Sequence, residues 1–432
     1  MCAVITDSNL LSSLRAQTRN LPNNRDASSC SGDGGSQSSM TMKSGKVVRF
    51  GAITLPASKS ESNRALMIAA YGGFEPDFQN LSDSNDTFVL ANALHEIQQN
   101  KTVIDIADCG AAARFMATYL ACHEGEWILT GTERMKQRPV MPLVEALRCL
   151  GSDVRFKEKQ GFLPLQIHGK SLEGGKVSLV MTQSSQFASS LLLAAPMWHQ
   201  GLELELHGEL NSLPYLDMTI NMMRLFGAYV ERRGRLALVK PQPYEKHSFT
   251  IEPDWTAASY WYEMAAMSEE CEIRLKGLGC PSIDSGTATL QGDAIIADWM
   301  QQLGVGTFIG DNAVVLRKIP FKRYPMRFDF SLYPDLYPTM AATCAGLGIE
   351  AVFNGLDNLA IKESNRVAAM QSELAKLGSY PLRFSTHNDH RVAMALAPLS
   401  ILCGSISFDH PEVVAKSYPE FWRDASFMPV QR

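Results

Sequence analysis

Met223-Arg224-Leu225-Phe226-Gly227-Ala228-Tyr229-Val230 closes one element and opens another. Met223 and Phe226 stand three apart on one helix face, and Gly227 falls where a left-handed residue caps a helix. A strand-like stretch follows. The same signature recurs at Leu147-Arg-Cys-Leu150-Gly151, Met300-Gln-Gln-Leu303-Gly304 and Leu374-Ala-Lys-Leu377-Gly378, followed by Val154-Arg-Phe156, Thr307-Phe-Ile309 and Leu382-Arg-Phe384. The four glycines lie 76, 77 and 74 residues apart. One such cap is commonplace, but four in near register indicate repeated α/β units with a shared packing plan. The period exceeds that of solenoids, so a few large units per domain are expected instead of a rod.

The 432 residues leave room for two domains, and 45% hydrophobic content supports two cores. A net charge of −5 argues against nucleic acid as the main partner, so any anion site must be a local concentration of Lys and Arg. The nine cysteines are scattered, odd in number and without a Cys-x-x-Cys pair. That usage fits reduced thiols in a cytoplasmic protein better than a disulfide framework or a zinc site. No apolar run is long enough for a membrane helix. Residues 1–45 carry a Ser- and Gly-rich stretch from Ser28 to Ser39 and no secretory apolar segment, and are expected to form a disordered extension.

Helical stretches such as Ser259 to Met267 and Met340 to Leu347 are apolar on several sides and should sit inside the domains. Chain crossings are expected near Ala57–Lys59 and near Glu252–Asp254. They divide the chain into a discontinuous domain I, 46–58 plus 255–432, and a domain II, 59–254.

Polar clusters lead into these apolar helices. Leu55-Pro-Ala-Ser-Lys59-Ser60-Glu-Ser-Asn-Arg64 places cations and hydroxyls where helix N–H groups are unpaired and the dipole is positive. By itself the segment reads either as an anion site or as a serine-capped surface helix. Arg134-Met-Lys-Gln-Arg138 precedes the helix ending at Gly151, and Gln183-Ser184-Ser185-Gln186 opens another. Asn358 through Lys362, Glu363 and Arg366, then Asn388-Asp-His-Arg391, Lys416 and Asp335, repeat the pattern in the C-terminal half. If these helix starts converge, they form a cationic cleft inside an acidic protein.

Read in order, the segments resemble the EPSP synthases (3-phosphoshikimate 1-carboxyvinyltransferases). The matching stretches are Leu55-Pro-x-Ser-Lys-Ser-x-Ser-Asn-Arg-Ala-Leu66, Leu129-Thr-Gly-x-x-Arg-Met-Lys-x-Arg-Pro139, Ser184-Ser-Gln-Phe187, Pro214-Tyr-Leu-Asp217, Lys362-Glu363 with Arg366, and Asn388-Asp-His-Arg391. The resemblance runs from about residue 46 to the end. It implies a two-domain inside-out α/β barrel, each domain made of three βαβ-type units around buried helices. It also implies transfer of the enolpyruvyl group of phosphoenolpyruvate (PEP) to the 5-hydroxyl of shikimate 3-phosphate, by a monomer without metal or organic cofactor.

By the same resemblance Ser60, Arg64, Ser184, Ser185, Ser212, Asn358 and Lys362 would hold shikimate 3-phosphate, with Lys59 and Gln186 touching both substrates. Gly110, Arg138, Arg366, Arg391 and Lys416 would receive PEP. Asp335 would act as base at the 5-hydroxyl, with Glu363 and Lys59 in the proton traffic at carbon and phosphate. The chain departs from the family where Asp108-Cys109-Gly110-Ala111 stands in place of Asn-Ala-Gly-Thr, and at Leu213, where a basic residue is usual. Asp108 adds negative charge near the intended PEP phosphate, and Ala111 removes a hydroxyl there. Two other functions fit parts of the pattern. One is the related transferase acting on a UDP-aminosugar, although its mobile loop bears a cysteine where this chain has Arg134 to Arg138. The other is a degenerate anion-binding member without catalysis.

Overall fold

The computed structural model describes residues 3–5, 40–42, 47–49, 52–279, 289–310, 312–379 and 381–426. The repeat signature marks the second helix of a strand–helix–strand–helix unit. In one unit, strand Val103–Asp105 and the parallel strand Gly125–Thr130 flank helix Gly110–Cys122. Helix Met141–Cys149 follows, and a hairpin of Asp153–Phe156 and Leu165–Gly169 completes the sheet. The hairpin's last strand pairs with Gly125–Thr130, so its first strand lies at the edge. Strands from Gly175–Val180 to Leu236–Val239 repeat this order around helices Gln186–Ala194 and Leu213–Leu225. A third unit is split. Its first strand lies at Val47–Arg49 and Ile53–Thr54, parallel to Glu270–Lys276, and everything between is inserted.

Gly151, Gly227, Gly304 and Gly378 all have positive φ, from 85° to 98°, the conformation that favours glycine at a helix end. Three of them lead into the edge strand of a hairpin. Gly378 instead leads into Leu382–Phe384, the first strand of the next unit, which pairs parallel with Ile406–Phe408. The last two units therefore have no hairpin of their own, and the N-terminal segment supplies their antiparallel strands. Ala3–Ile5 pairs with Ala351–Asn354, and Met40–Met42 pairs with Ile406–Phe408. The expectation of disorder across 1–45 is thus corrected at these two strands: each fills a vacant sheet edge whose backbone groups need partners. The stretch Ser28–Ser39 lies outside the described residues.

Two hydrophobic cores result. Core I contains Leu55 and residues from Trp255 to Ala425; core II runs from Ala57 to Ile251. The central helices are nearly enclosed, and every residue of Trp255–Met267 is buried. The chain crosses between cores on two adjacent strands: Ser58 N–H donates to Glu252 C=O at 2.7 Å, and Asp254 N–H donates to Pro56 C=O at 2.9 Å. No helix among the described residues is long and apolar enough to cross a membrane.

Candidate active site

A cleft opens between the two cores, and five helices begin at its wall. Lys59, Gly110, Gln186, Arg366 and His390 are the first residues of those helices, and all five line the cavity. Unpaired N–H groups and positive dipole ends therefore converge on one space. Six cations line it (Lys59, Arg64, Arg138, Lys362, Arg366 and Arg391) against three carboxylates, Asp86, Asp335 and Glu363. The wall is electropositive although the protein is acidic.

Local structure explains how each group is held. Ser58 caps the Lys59 helix, accepting from the Glu61 N–H at 3.4 Å, and the helix is buried. Arg64 points back along that helix: Nε donates to Thr219 Oγ1 at 2.7 Å, and its terminal nitrogens donate to the Ser60 and Tyr215 carbonyls at 2.8 and 3.0 Å. Burial lowers its pKa to about 10. Ser184 Oγ accepts from the Gln186 N–H, while Ser185 makes no cap bond with its side chain. Ser212 adopts a left-handed conformation and donates its N–H to Ser331 C=O across the cores at 2.7 Å. A Cβ at Gly110 would lie 2.7 to 2.9 Å from the Arg138 guanidinium, so a side chain there would displace it.

Carboxylates and guanidinium groups interlock on the core I wall. Arg366 donates to Asp389 Oδ2 at 2.9 Å, Asp335 Oδ1 at 2.8 Å and Glu363 Oε2 at 2.7 Å, and Arg391 donates to Asp335 Oδ2 at 2.6 Å. Burial alone would raise the pKa of Asp335, but Arg391, then Lys362 and Arg366, outweigh it and hold the carboxyl far below its usual range. Glu363 is likewise depressed, with Arg366 and Arg138 overcoming burial. Lys362 is lowered by burial, which Asp335 opposes. Arg138 is far less committed than Arg366. Among the described residues its one ion pair, to Glu363, spans 3.7 Å, and its buried Nε has no partner.

Fourteen residues expected at the site from sequence lie on the wall: Lys59, Ser60, Arg64, Gly110, Arg138, Ser184, Ser185, Gln186, Ser212, Asp335, Lys362, Glu363, Arg366 and Arg391. Asn358 and Lys416 do not. Asn358 is buried in the turn Asp357–Ile361 that leads to Lys362. Lys416 is drawn off the wall by two carboxylates, Asp86 Oδ1 at 2.9 Å and Asp108 Oδ2 at 2.8 Å. Asp86 also pairs with Lys59 at 2.9 Å, and Lys416 and Lys59 hold it ionised against its burial.

Asp86, Asn63, Tyr215 and His390 line the cavity without having been singled out. Asp86 follows Ser84, which caps helix Asn85–Gln98, the same polar helix start that marked the other segments. Tyr215 and His390 stood inside quoted motifs. His390 Nδ1 is 3.7 Å from Asp389, too far for a hydrogen bond, and neither ring nitrogen has a partner. Burial, then Lys59 and Arg391, push its pKa well below the usual histidine range.

A protein-family comparison matches residues 95–425 to EPSP synthase (3-phosphoshikimate 1-carboxyvinyltransferase). The chain is 41% identical over 394 residues to the 3-phosphoshikimate 1-carboxyvinyltransferase of Bacteroides fragilis, covering 86% of this chain and 93% of that one. The chain belongs to the EPSP synthase family. It is also 32% identical to the enzyme of that name from Mannheimia haemolytica, covering 88% of this chain and 97% of that one. Among solved structures, EPSP synthase from Acinetobacter baumannii superposes with a TM-score of 0.69 at 19% identity, covering 91% and 99% of the two chains. The enolpyruvyl transferase NikO from Streptomyces tendae gives 0.62 at 16% identity, covering 91% and 98%. These structural likenesses establish the fold, the inside-out α/β arrangement of the EPSP synthase family.

Proposed function

We propose that the chain transfers the enolpyruvyl group of PEP to the 5-hydroxyl of shikimate 3-phosphate, releasing phosphate and forming EPSP, in aromatic amino acid biosynthesis. The observation that carries this is the convergence of five helix starts and six cations on one cavity in a chain of this family. Two polyanions can be brought together only where fixed cations and dipoles offset their repulsion.

Ser60, Arg64, Ser184, Ser185, Ser212 and Lys362 hold shikimate 3-phosphate on this reading. Gln186 and Lys59 reach both substrates. Arg138 is the principal clamp for PEP, since its donors are the least engaged, and Arg366 and Arg391 reach PEP while holding Asp335 and Glu363. Gly110 keeps the Arg138 seat open. Asn358 and Lys416 act from behind the wall, Asn358 by fixing the approach to Lys362 and Lys416 by neutralising Asp86 and Asp108. The extra charge of Asp108 is thus met by Lys416, which argues for retained catalysis over an anion-binding remnant.

In the addition step Asp335 takes the 5-hydroxyl proton as the oxygen bonds to C2 of PEP, and the methylene carbon gains a proton. In elimination a methyl proton is removed and the C–O bond to phosphate breaks. Lys59, at the helix start between the two substrates, suits protonation of carbon. Glu363, held ionised, suits proton removal. The two cores act as two domains, 46–58 plus 255–432 and 59–254, in a cytoplasmic monomer. Phosphorus NMR of PEP and shikimate 3-phosphate with the purified chain tests the reading, with EPSP and inorganic phosphate as the expected products. Absence of both, with shikimate 3-phosphate still bound, would leave a binding protein; turnover only with a UDP-aminosugar would indicate the related transferase.

A further inference from the structure

Asp293 is a buried carboxylate that the chemistry above leaves unused. Its Oδ2 accepts from Thr256 Oγ1 at 2.5 Å and from the Tyr215 hydroxyl at 3.1 Å, while its buried Oδ1 has no partner. The same Tyr215 hydroxyl lies 3.3 Å from Oδ2 of Asp335. Asp293 lines a second, smaller cavity that shares Ser60 and Tyr215 with the main one.

A phenol has one proton and cannot donate to two carboxylates at once. The two contacts let that proton face either carboxylate, and when it faces Asp293 an oxygen lone pair faces Asp335. An ionised Asp335 has nothing to donate to it, but a protonated Asp335 does. We propose that Asp293 stores the proton Asp335 removes from the substrate hydroxyl, with Tyr215 carrying it between them. The proposal rests on the assignment of Asp335 as base.

The steps balance. The substrate O–H bond breaks and Asp335 gains the proton. Asp335 then gives a proton to the Tyr215 oxygen while the Tyr215 proton moves to Asp293 Oδ2. Negative charge passes from Asp293 to Asp335, which returns to its ionised state beside Arg391 and Arg366. After the product leaves, the reverse path delivers the proton through Asp335 to solvent.

The groups around Asp293 favour this direction. Its pKa is raised to about 6, first by burial and then by the charge of Asp335, with Asp254 adding to this and Thr256 and Arg391 opposing. Tyr215 and Tyr333 also face it and stay protonated, their pKa values raised first by burial. Asp335, held low by its arginines, is the weaker proton acceptor of the two. Transfer to Asp293 therefore relieves a base that would otherwise hold its proton poorly.

The test is the pH profile of phosphate release by the wild-type chain, Asp293→Asn and Thr256→Val. The wild type should lose activity on its acid side near the Asp293 pKa of about 6. Asp293→Asn should lose that limb and drop roughly tenfold in kcat while both KM values stay within about twofold. Thr256→Val, lacking the hydroxyl that steadies the carboxylate, should move the limb to higher pH. Wild-type kcat and an unmoved limb in Asp293→Asn would overturn the relay. If that variant does not fold, an unmoved limb in Thr256→Val does so instead. Full turnover by Asp335→Asn would overturn the base assignment itself, a result distinct from loss of the relay alone.

Discussion

Arg366 and Arg138 look alike in sequence but arrive at the cavity in different states. Three carboxylates saturate Arg366, while Arg138 holds one long ion pair and a buried Nε without a partner. The less engaged guanidinium has the more to gain from a planar anion. Gly110 guards its position, and a Cβ there would press on the guanidinium. Gly110→Ala should therefore raise KM for PEP about tenfold, with KM for shikimate 3-phosphate nearly unchanged. Steady-state kinetics varying each substrate checks this, and equal effects on both KM values would contradict it. Most of the wall was legible at this scale because polar residues abutting buried helices are unusual. Lys416 lies off the wall because Asp86 and Asp108, far away in the chain, both fold against it, a pairing that sequence spacing does not show. Asp86 was missed because a Ser-capped acidic helix start looks ordinary until its partners are known.

The glycine caps decided the elements. All four second helices are followed within a few residues by a glycine of positive φ, and the strand expectations follow from that. What a cap cannot show is which strand comes next. Gly378 opens a new unit instead of a hairpin, since pairing depends on distant strands at Ala3–Ile5 and Met40–Met42. The crossing strands carry their own consequence. Glu61, on the Lys59 helix, accepts from Gln291 Nε2 at 2.7 Å and from the Glu252 N–H at 3.1 Å, joining core II to core I. Burial, then Glu252, raises its pKa from 4.5 to about 8. The folded protein thus keeps a proton that the unfolded chain releases above its own carboxylate pKa. Stability from this group is intact below about pH 4.5, declines through neutral pH and stops declining near pH 8. The slope is at most about 1.4 kcal/mol per pH unit. Glu61→Gln should flatten the fall in melting temperature between pH 5.5 and pH 8 (roughly the titration window). A variant that falls as steeply as the wild type would contradict the assignment.

At the scale of the molecule, two cores joined by two short crossing strands meet across a cationic cavity. Contacts between the cores include polar ones, such as Arg134 to the Lys362 and Glu363 carbonyls and Lys416 to Asp108, which can open and re-form. Anions bound between the walls should draw them together. Small-angle scattering with both substrates should give a smaller radius of gyration than without them, and identical profiles would contradict closure. The deepest claim is that Lys59, at the first helix start, stands between the two substrates. Phosphate release by wild type and Lys59→Ala, measured together with shikimate 3-phosphate binding, tests it most directly. Turnover should require shikimate 3-phosphate in the wild type, and Lys59→Ala should lose roughly a thousandfold with binding of shikimate 3-phosphate largely kept. Near-normal turnover in Lys59→Ala would contradict it.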